Sequence, residues 1–253
     1  MTSNKKYVKN LLFHIGRYFK LLGGLFRTPE RFGTYYSRTL FETNSMVGGS
    51  MFIVVIISTF IGGVTTLQTA YQLTNPLIPK YTIGSVVSAS TLLELSPTVL
   101  TFILAGRIGS SIASEIGTMR VTEQIDAIEV MGINASSFLI IPKILGSLLA
   151  FPVLVTISAF LCILGGMIGG HLTGAVNTED FTTGVQMYYD PFQIVVMYTK
   201  ALTFGFLITS ISSYHGYFTD GGALEVGQSS TKAVVYSCLA MVVADYVIAQ
   251  IML

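Results

Sequence analysis

Apolar and polar positions in this chain alternate on the length scale of a membrane. Residues 43–79 contain no charged side chain. About 20 apolar residues in a helix suffice to cross a bilayer core, so this run predicts one span over 46–73. Further runs predict spans over 83–107, 144–170, 191–213 and 233–253. Asn75 and Pro76, with Pro79 following, close the first span. The second is interrupted by Glu94 and by Pro97, which lacks a backbone donor and should kink it. The third ends in GGMIGG, two overlapping small-xxx-small pairs that allow close helix contact. Residues 171–190 and 214–232 read as polar connections, the first acidic and the second rich in Gly and Ser.

Two segments carry a different pattern. At 100° per residue, Val8, Leu11, Leu12, Ile15, Phe19 and Leu22 fall on one side of a helix over 5–26, with Lys6, Lys9, Arg17 and Lys20 opposite. A basic amphipathic helix of this kind lies flat in a membrane interface, and Pro29 and Gly33 mark its end. The other is the polar insert 108–143. Ile112, Ile116 and Met119 share one face that continues the second span. Val121, Ile125 and Ile128 share a face turned by roughly half a revolution. The break near Arg120 predicts a second short helix over about 121–131. Glu123 and Asp126 sit near its start, where the helix dipole favours acids, and Gly132 is placed to end it. Its polar face is acidic, which suits a protein partner better than anionic lipid.

Composition fixes the class. Of 253 residues 51% are hydrophobic and 11% charged, less than half the share of about 25% usual in soluble domains. The chain is expected to be an all-α integral membrane protein, with an interfacial N-terminal helix and five transmembrane helices. The net charge of +1 hides an asymmetry, because eight of the 14 Lys and Arg precede residue 39. No basic–aromatic platform for nucleic acid accompanies them, and the N-terminus does not read as a cleavable leader. Counting cations near span ends, twelve fall on the N-terminal side and Lys80 alone on the other. Positive charge marks the cytoplasmic side, so the N-terminus and the insert are expected in the cytoplasm and the C-terminus outside. Five spans cannot form an internal inverted duplication, so a symmetric pathway calls for a homodimer.

Chemistry is sparse. Cys162 and Cys238 lie in apolar runs, and His14, His171 and His215 lack metal-ligand spacing, so no metal is expected. The dipeptide Gly-Lys never occurs, so a nucleotide-driven process would place ATP and Mg on another chain; no catalytic residue is expected here. What remains are charges within spans. An ionised side chain at mid-bilayer costs about 2.5–3.5 kcal/mol, which makes Glu94 a candidate for a cavity, a pathway or a helix-fixing contact. Lys200 and Asp245 each lie about 12–14 Å below the outer surface by residue count, which predicts a buried structural pair.

The run ELSPTVLTFILAGRIGSSIASEIGTMRVTEQIDAIEVMGINASSFLIIPKIL and the tail HGYFTDGGALEVGQSSTKAVVYSCLAMVVADYV closely resemble the MlaE family of ABC-transporter permeases, over about residues 40–253. The resemblance implies a permease domain over 43–253, preceded by the interfacial helix and linker of 1–42, in a bacterial inner membrane with a periplasmic C-terminus. It implies a homodimer that binds a separate ATPase through a cytoplasmic coupling helix within 108–143. It also implies an outer MCE-domain partner and transport of phospholipid or another lipid. By position, Glu123, Arg120, Thr122, Gln124 and Asp126 would form the ATPase-coupling surface. Glu94, Leu93 and Gln68 would line the lipid cavity. Two departures stand out. The best-known members have Arg where this chain has Leu93, and the tail turn usually reads GVG where this chain has Glu225-Val226-Gly227. Without the resemblance, an ion-coupled transporter or channel using Glu94, Lys200 and Asp245, or a membrane scaffold, competes with the permease.

Overall fold

A computed structural model describes residues 2–25, 32–73, 77–187 and 189–252, and among these every regular element is helical. Eight helices follow in order: α1 (Thr2–Gly24), α2 (Phe32–Gln72), α3 (Tyr81–Val121), α4 (Gln124–Val130), α5 (Ala135–Leu172), α6 (Thr178–Met187), α7 (Phe192–Tyr217) and α8 (Ala223–Met252). Five of them, α2, α3, α5, α7 and α8, are long and apolar enough to cross a membrane. The chain is an all-α integral membrane protein. Pro29 and the Asn75-Pro76 turn lie outside the described residues. Gly33 does not end the first helix; it sits in the first turn of α2, so the segment expected as the last part of a linker is helical. At 1.5 Å per residue the 41-residue α2 is about 60 Å long, well beyond a bilayer core. The acidic connection after the third span also hides an element, the ten-residue α6.

Pro97 does more than bend α3. Residues Thr91–Val99 wind as a π-helix, in which Leu100 N–H donates to Leu95 O, five residues back. The wider turn accommodates a residue that cannot donate to the ladder. Thr101 Oγ1 donates to the carbonyls of Pro97 and Thr98. A second π-turn follows over Ala105–Gly109.

The chain divides into two compact units. Unit one comprises Met1–Thr43, Ala105–Ser147 and Phe206–Met241, and unit two Asn44–Leu104, Leu148–Gly205 and Val242–Leu253. In unit one, α1 is clamped to the end of α7. Tyr18 Oη lies 2.8 Å from Ser210 Oγ, His14 Nδ1 lies 2.8 Å from Tyr214 Oη, and Arg17 lies over the Phe218 ring at 3.7 Å. Burial raises the Tyr18 hydroxyl pKa above its ordinary value, partly offset by the Ser210 bond. Ile15 and Phe19, members of the apolar stripe, are exposed. Near the start of α8, Gly221 adopts φ +119 and Glu225 accepts the Gly222 N–H at 2.8 Å. This is half of a capping box, and it gives the departure at Glu225 a local structural role.

Unit two is held by close helix contacts. A Cβ on Gly165 would lie 2.1 Å from Thr59 O, and one on Gly62 would lie 1.8 Å from Cys162 O. The GGMIGG run thus lets α5 meet the α2 backbone directly. α6 docks on α3 in the same way: a Cβ on Gly184 would fall 1.8 Å from Tyr81 O, and one on Gly84 would fall 2.3 Å from Phe181 O. Phe181 closes a small apolar core with Ile83, Val87 and Val176. Buried hydroxyls bridge the same helices, Ser58 to Ser158 at 2.8 Å and Ser96 Oγ to Val155 O at 2.6 Å.

Candidate functional site

The first site lies in unit two, around Lys200. This side chain is 0% exposed, in the third turn of α7, and its ammonium finds three acceptors. They are Glu94 Oε1 at 2.7 Å, Asp245 Oδ1 at 2.7 Å and the Leu93 carbonyl at 2.9 Å. An ammonium carries three donors, so Lys200 is saturated. Thr98 Oγ1 points at Glu94 Oε2 (3.1 Å) and Asp245 Oδ1 (3.3 Å), closing the ring of contacts. Glu94 and Thr98 both belong to the π-helical stretch, which presents the carboxylate and the hydroxyl on one side.

The expected Lys200–Asp245 pair and Glu94 therefore meet. Lys200 and Asp245 lie at bonding distance, and Glu94, assigned from sequence to a lipid cavity, is the third member. Sequence reasoning places residues at a depth in a span but not around its circumference, so it missed the Glu94 contact. The two carboxylates differ in access, Glu94 at 48% and Asp245 at 21% exposed. Leu93 is half-buried, and only its carbonyl joins the cluster. Gln68 is exposed on α2 and is not one of the groups joined at Lys200.

The second site is the insert, in unit one. α3 runs unbroken to Val121, and the chain turns through Thr122 and Glu123 into α4. Glu123 has φ +59 and ψ 14 and is the one residue other than glycine with positive φ among the described residues. Such a conformation costs a side-chain-bearing residue roughly 1–2 kcal/mol. Ile125 on α4 is buried, and Val121 and Ile128 are half-buried, so the apolar face packs inward as its periodicity requires. A Schellman motif closes the helix: Gly132 at φ +80 donates to Glu129 O, and Ile133 N–H donates to Ile128 O.

The five residues assigned to the coupling surface are not equivalent. Arg120 and Asp126 bind each other at 2.6 Å. Thr122 Oγ1 donates to Thr118 O within its own turn. Glu123 and Gln124 are exposed, and Glu123 makes no side-chain cap. Two further contacts brace the insert. Tyr217 Oη donates to Glu129 Oε1 at 2.8 Å, and Asn134 Nδ2 donates to Gly24 O at 3.2 Å.

Unit one also holds a second lysine-centred cluster that sequence reading missed. Lys143 on α5 is 2% exposed and binds Glu42 of α2 and Glu115 of α3, each at 2.7 Å. The available signal was a lone cation inside the apolar run FLIIPKILGSLL, which counted there only as a marker of sidedness.

A family model described as Permease MlaE matches residues 39–251. A probable ABC transporter permease protein of Rickettsia bellii is 33% identical over 227 residues, 90% of this chain and 86% of the relative. One from a Synechocystis strain is 35% identical over 239 residues, 92% of this chain and 90% of the relative. The Arabidopsis thaliana chloroplastic protein named TRIGALACTOSYLDIACYLGLYCEROL 1 is 32% identical over 220 residues, 85% of this chain and 61% of the relative. With nearly the whole membrane region matched, and five membrane-length helices interrupted by a helical insert, the chain belongs to the MlaE family of ABC-transporter permeases.

Proposed function

We propose that this permease moves phospholipid between the bacterial inner membrane and a periplasmic MCE-domain partner, as a homodimer driven by a separate ATPase subunit. The observation that carries this reading is the insert. α4 is a short acidic helix set across the end of α3 by a strained corner, with Glu123 and Gln124 exposed. An ATP-driven permease must receive force from a nucleotide-binding partner, and a braced helix outside the spans is the element suited to it. ATP and Mg belong to that partner. Twelve of the chain's cations fall in unit one and two, Lys80 and Lys200, in unit two. This asymmetry supports a cytoplasmic N-terminus and insert, with the C-terminus outside. The lipid reading draws on the exposed carboxylate of Glu94 within a span, and on the lipid in the name of the Arabidopsis relative.

Glu123→Lys tests the coupling role. The expected result is loss of co-purifying ATPase subunit, with the membrane fold and bound lipid unchanged; normal assembly of that variant counts against the role. The fuller test is reconstitution with candidate ATPase and MCE subunits, where lipid movement should require ATP. The cluster at Lys200 favours one rival, an ion-coupled transporter, and proton-gradient-driven transport abolished by Glu94→Gln would establish it instead.

A further inference from the structure

The Lys200 cluster has spent every donor it owns. Three ammonium hydrogens go to Glu94, Asp245 and the Leu93 carbonyl, and the Thr98 hydroxyl goes to the carboxylates. The part left open is carboxylate oxygen, chiefly that of Glu94 at 48% exposure. Formal charges of −1, −1 and +1 leave the group at −1. Acids outnumber cations in its unit, where Lys80 and Lys200 stand against Glu94, Glu179, Asp180, Asp190 and Asp245. Lys80 is exposed, in the connection before α3. A carboxylate in a membrane span needs partners for its remaining lone pairs, and beyond Lys200 and Thr98 its cluster has no further donor to give.

We propose that the open face of this cluster selects lipid headgroups that bring hydrogen-bond donors, an ammonium or sugar hydroxyls, over headgroups whose exposed charge is phosphate alone. The inference rests on the lipid-transport reading and adds the class of headgroup. A donor headgroup completes the shell of Glu94 with charge-assisted bonds. An anionic headgroup faces a net negative site with no available donor, and juxtaposed like charges are strongly disfavoured where water is scarce. Leu93 matters for the same reason. A cation at that position would supply the donor and charge that phosphate requires, and leucine supplies neither.

The test uses the full chain in vesicles containing equal parts of phosphatidylethanolamine, phosphatidylmethanol and digalactosyldiacylglycerol with matched acyl chains. Phosphatidylmethanol carries the phosphate charge and no hydrogen-bond donor. After mild detergent extraction, native mass spectrometry weighs the retained lipid. The amine lipid and the galactolipid should each exceed phosphatidylmethanol by about fivefold. Glu94→Gln, which removes charge and supplies an amide donor, should bring the amine lipid and phosphatidylmethanol to near parity. Leu93→Arg should raise phosphatidylmethanol above parity. Asp245→Asn provides a second charge-removing variant should Glu94→Gln fail to fold. Retention of phosphatidylmethanol equal to or above the others in the unaltered chain overturns the inference, as does an unchanged ratio in folded variants. Lipid retained without discrimination leaves the transport reading standing. No retained lipid overturns both.

Discussion

Each unit is built around one buried lysine with two carboxylates, yet the two clusters are different devices. Lys143 joins Glu42 and Glu115, in a unit with twelve cations. The acids are alike in exposure, 52% and 20% for Glu115 and Glu42 against 48% and 21% for Glu94 and Asp245. They differ in place: Glu115 belongs to the polar insert, and Glu94 lies within a span, where an ionised group is costly without a partner. Lys200 has a third acceptor in the Leu93 carbonyl, and the sole other cation in its unit is Lys80. A salt bridge is costly to break in proportion to how stranded its partners become. Lys143 therefore acts as a replaceable tie among α2, α3 and α5. Lys200 is the irreplaceable counter-charge that allows Glu94 and Asp245 to exist where they do.

This contrast yields a ranked set of outcomes. Lys200→Met should have the largest effect, a loss of about 3–5 kcal/mol from uncompensated carboxylates within spans, read as loss of detergent-stable protein. Adding Glu94→Gln and Asp245→Asn should restore much of it. Lys143→Met should cost about 2 kcal/mol, less because Glu115 lies in the polar insert and not within a span; equal losses would erase the distinction. In double-mutant cycles by thermal unfolding, Lys200 and Asp245 should couple by about 1–3 kcal/mol. Lys143 and Glu115 should couple by less than about 1 kcal/mol, and strictly additive losses at Lys200 and Asp245 would remove the pair from the account. The exposed Arg120–Asp126 bridge sets the floor: Arg120→Gln should change stability by no more than about 1 kcal/mol. Glu123→Gly should stabilise the fold by roughly 1 kcal/mol through relief of the left-handed corner while weakening ATPase binding.

The five spans were legible because apolar runs of membrane length admit few other readings. So was the corner near Arg120, since a hydrophobic face cannot rotate by half a turn along one straight helix. Counting residues also set Lys200 and Asp245 at one depth. The Glu94–Lys200 contact was hidden because it depends on the facing of α3, which the π-turn at Thr91–Val99 resets. α6 was hidden for another reason. Its packing face consists of Phe181 and Gly184, and glycine at a contact leaves no apolar signal. Lys143 was counted as a sidedness marker because a cation's burial depends on acids far along the chain, at Glu42 and Glu115.

The glycines between α2 and α5 have a kinetic consequence. With Gly62 set against Cys162 O, Gly165 against Thr59 O, and a Cβ on Gly169 reaching within 2.9 Å of Gly63 Cα, backbone meets backbone over more than one turn. Surfaces that interlock this closely have two choices, to stay together or to part completely, since sliding by a fraction of a turn would drive carbonyls into Cα atoms. The two helices must then travel as one strut through any transport cycle. Their amides should be among the slowest in unit two to exchange with solvent, whichever state the transporter occupies.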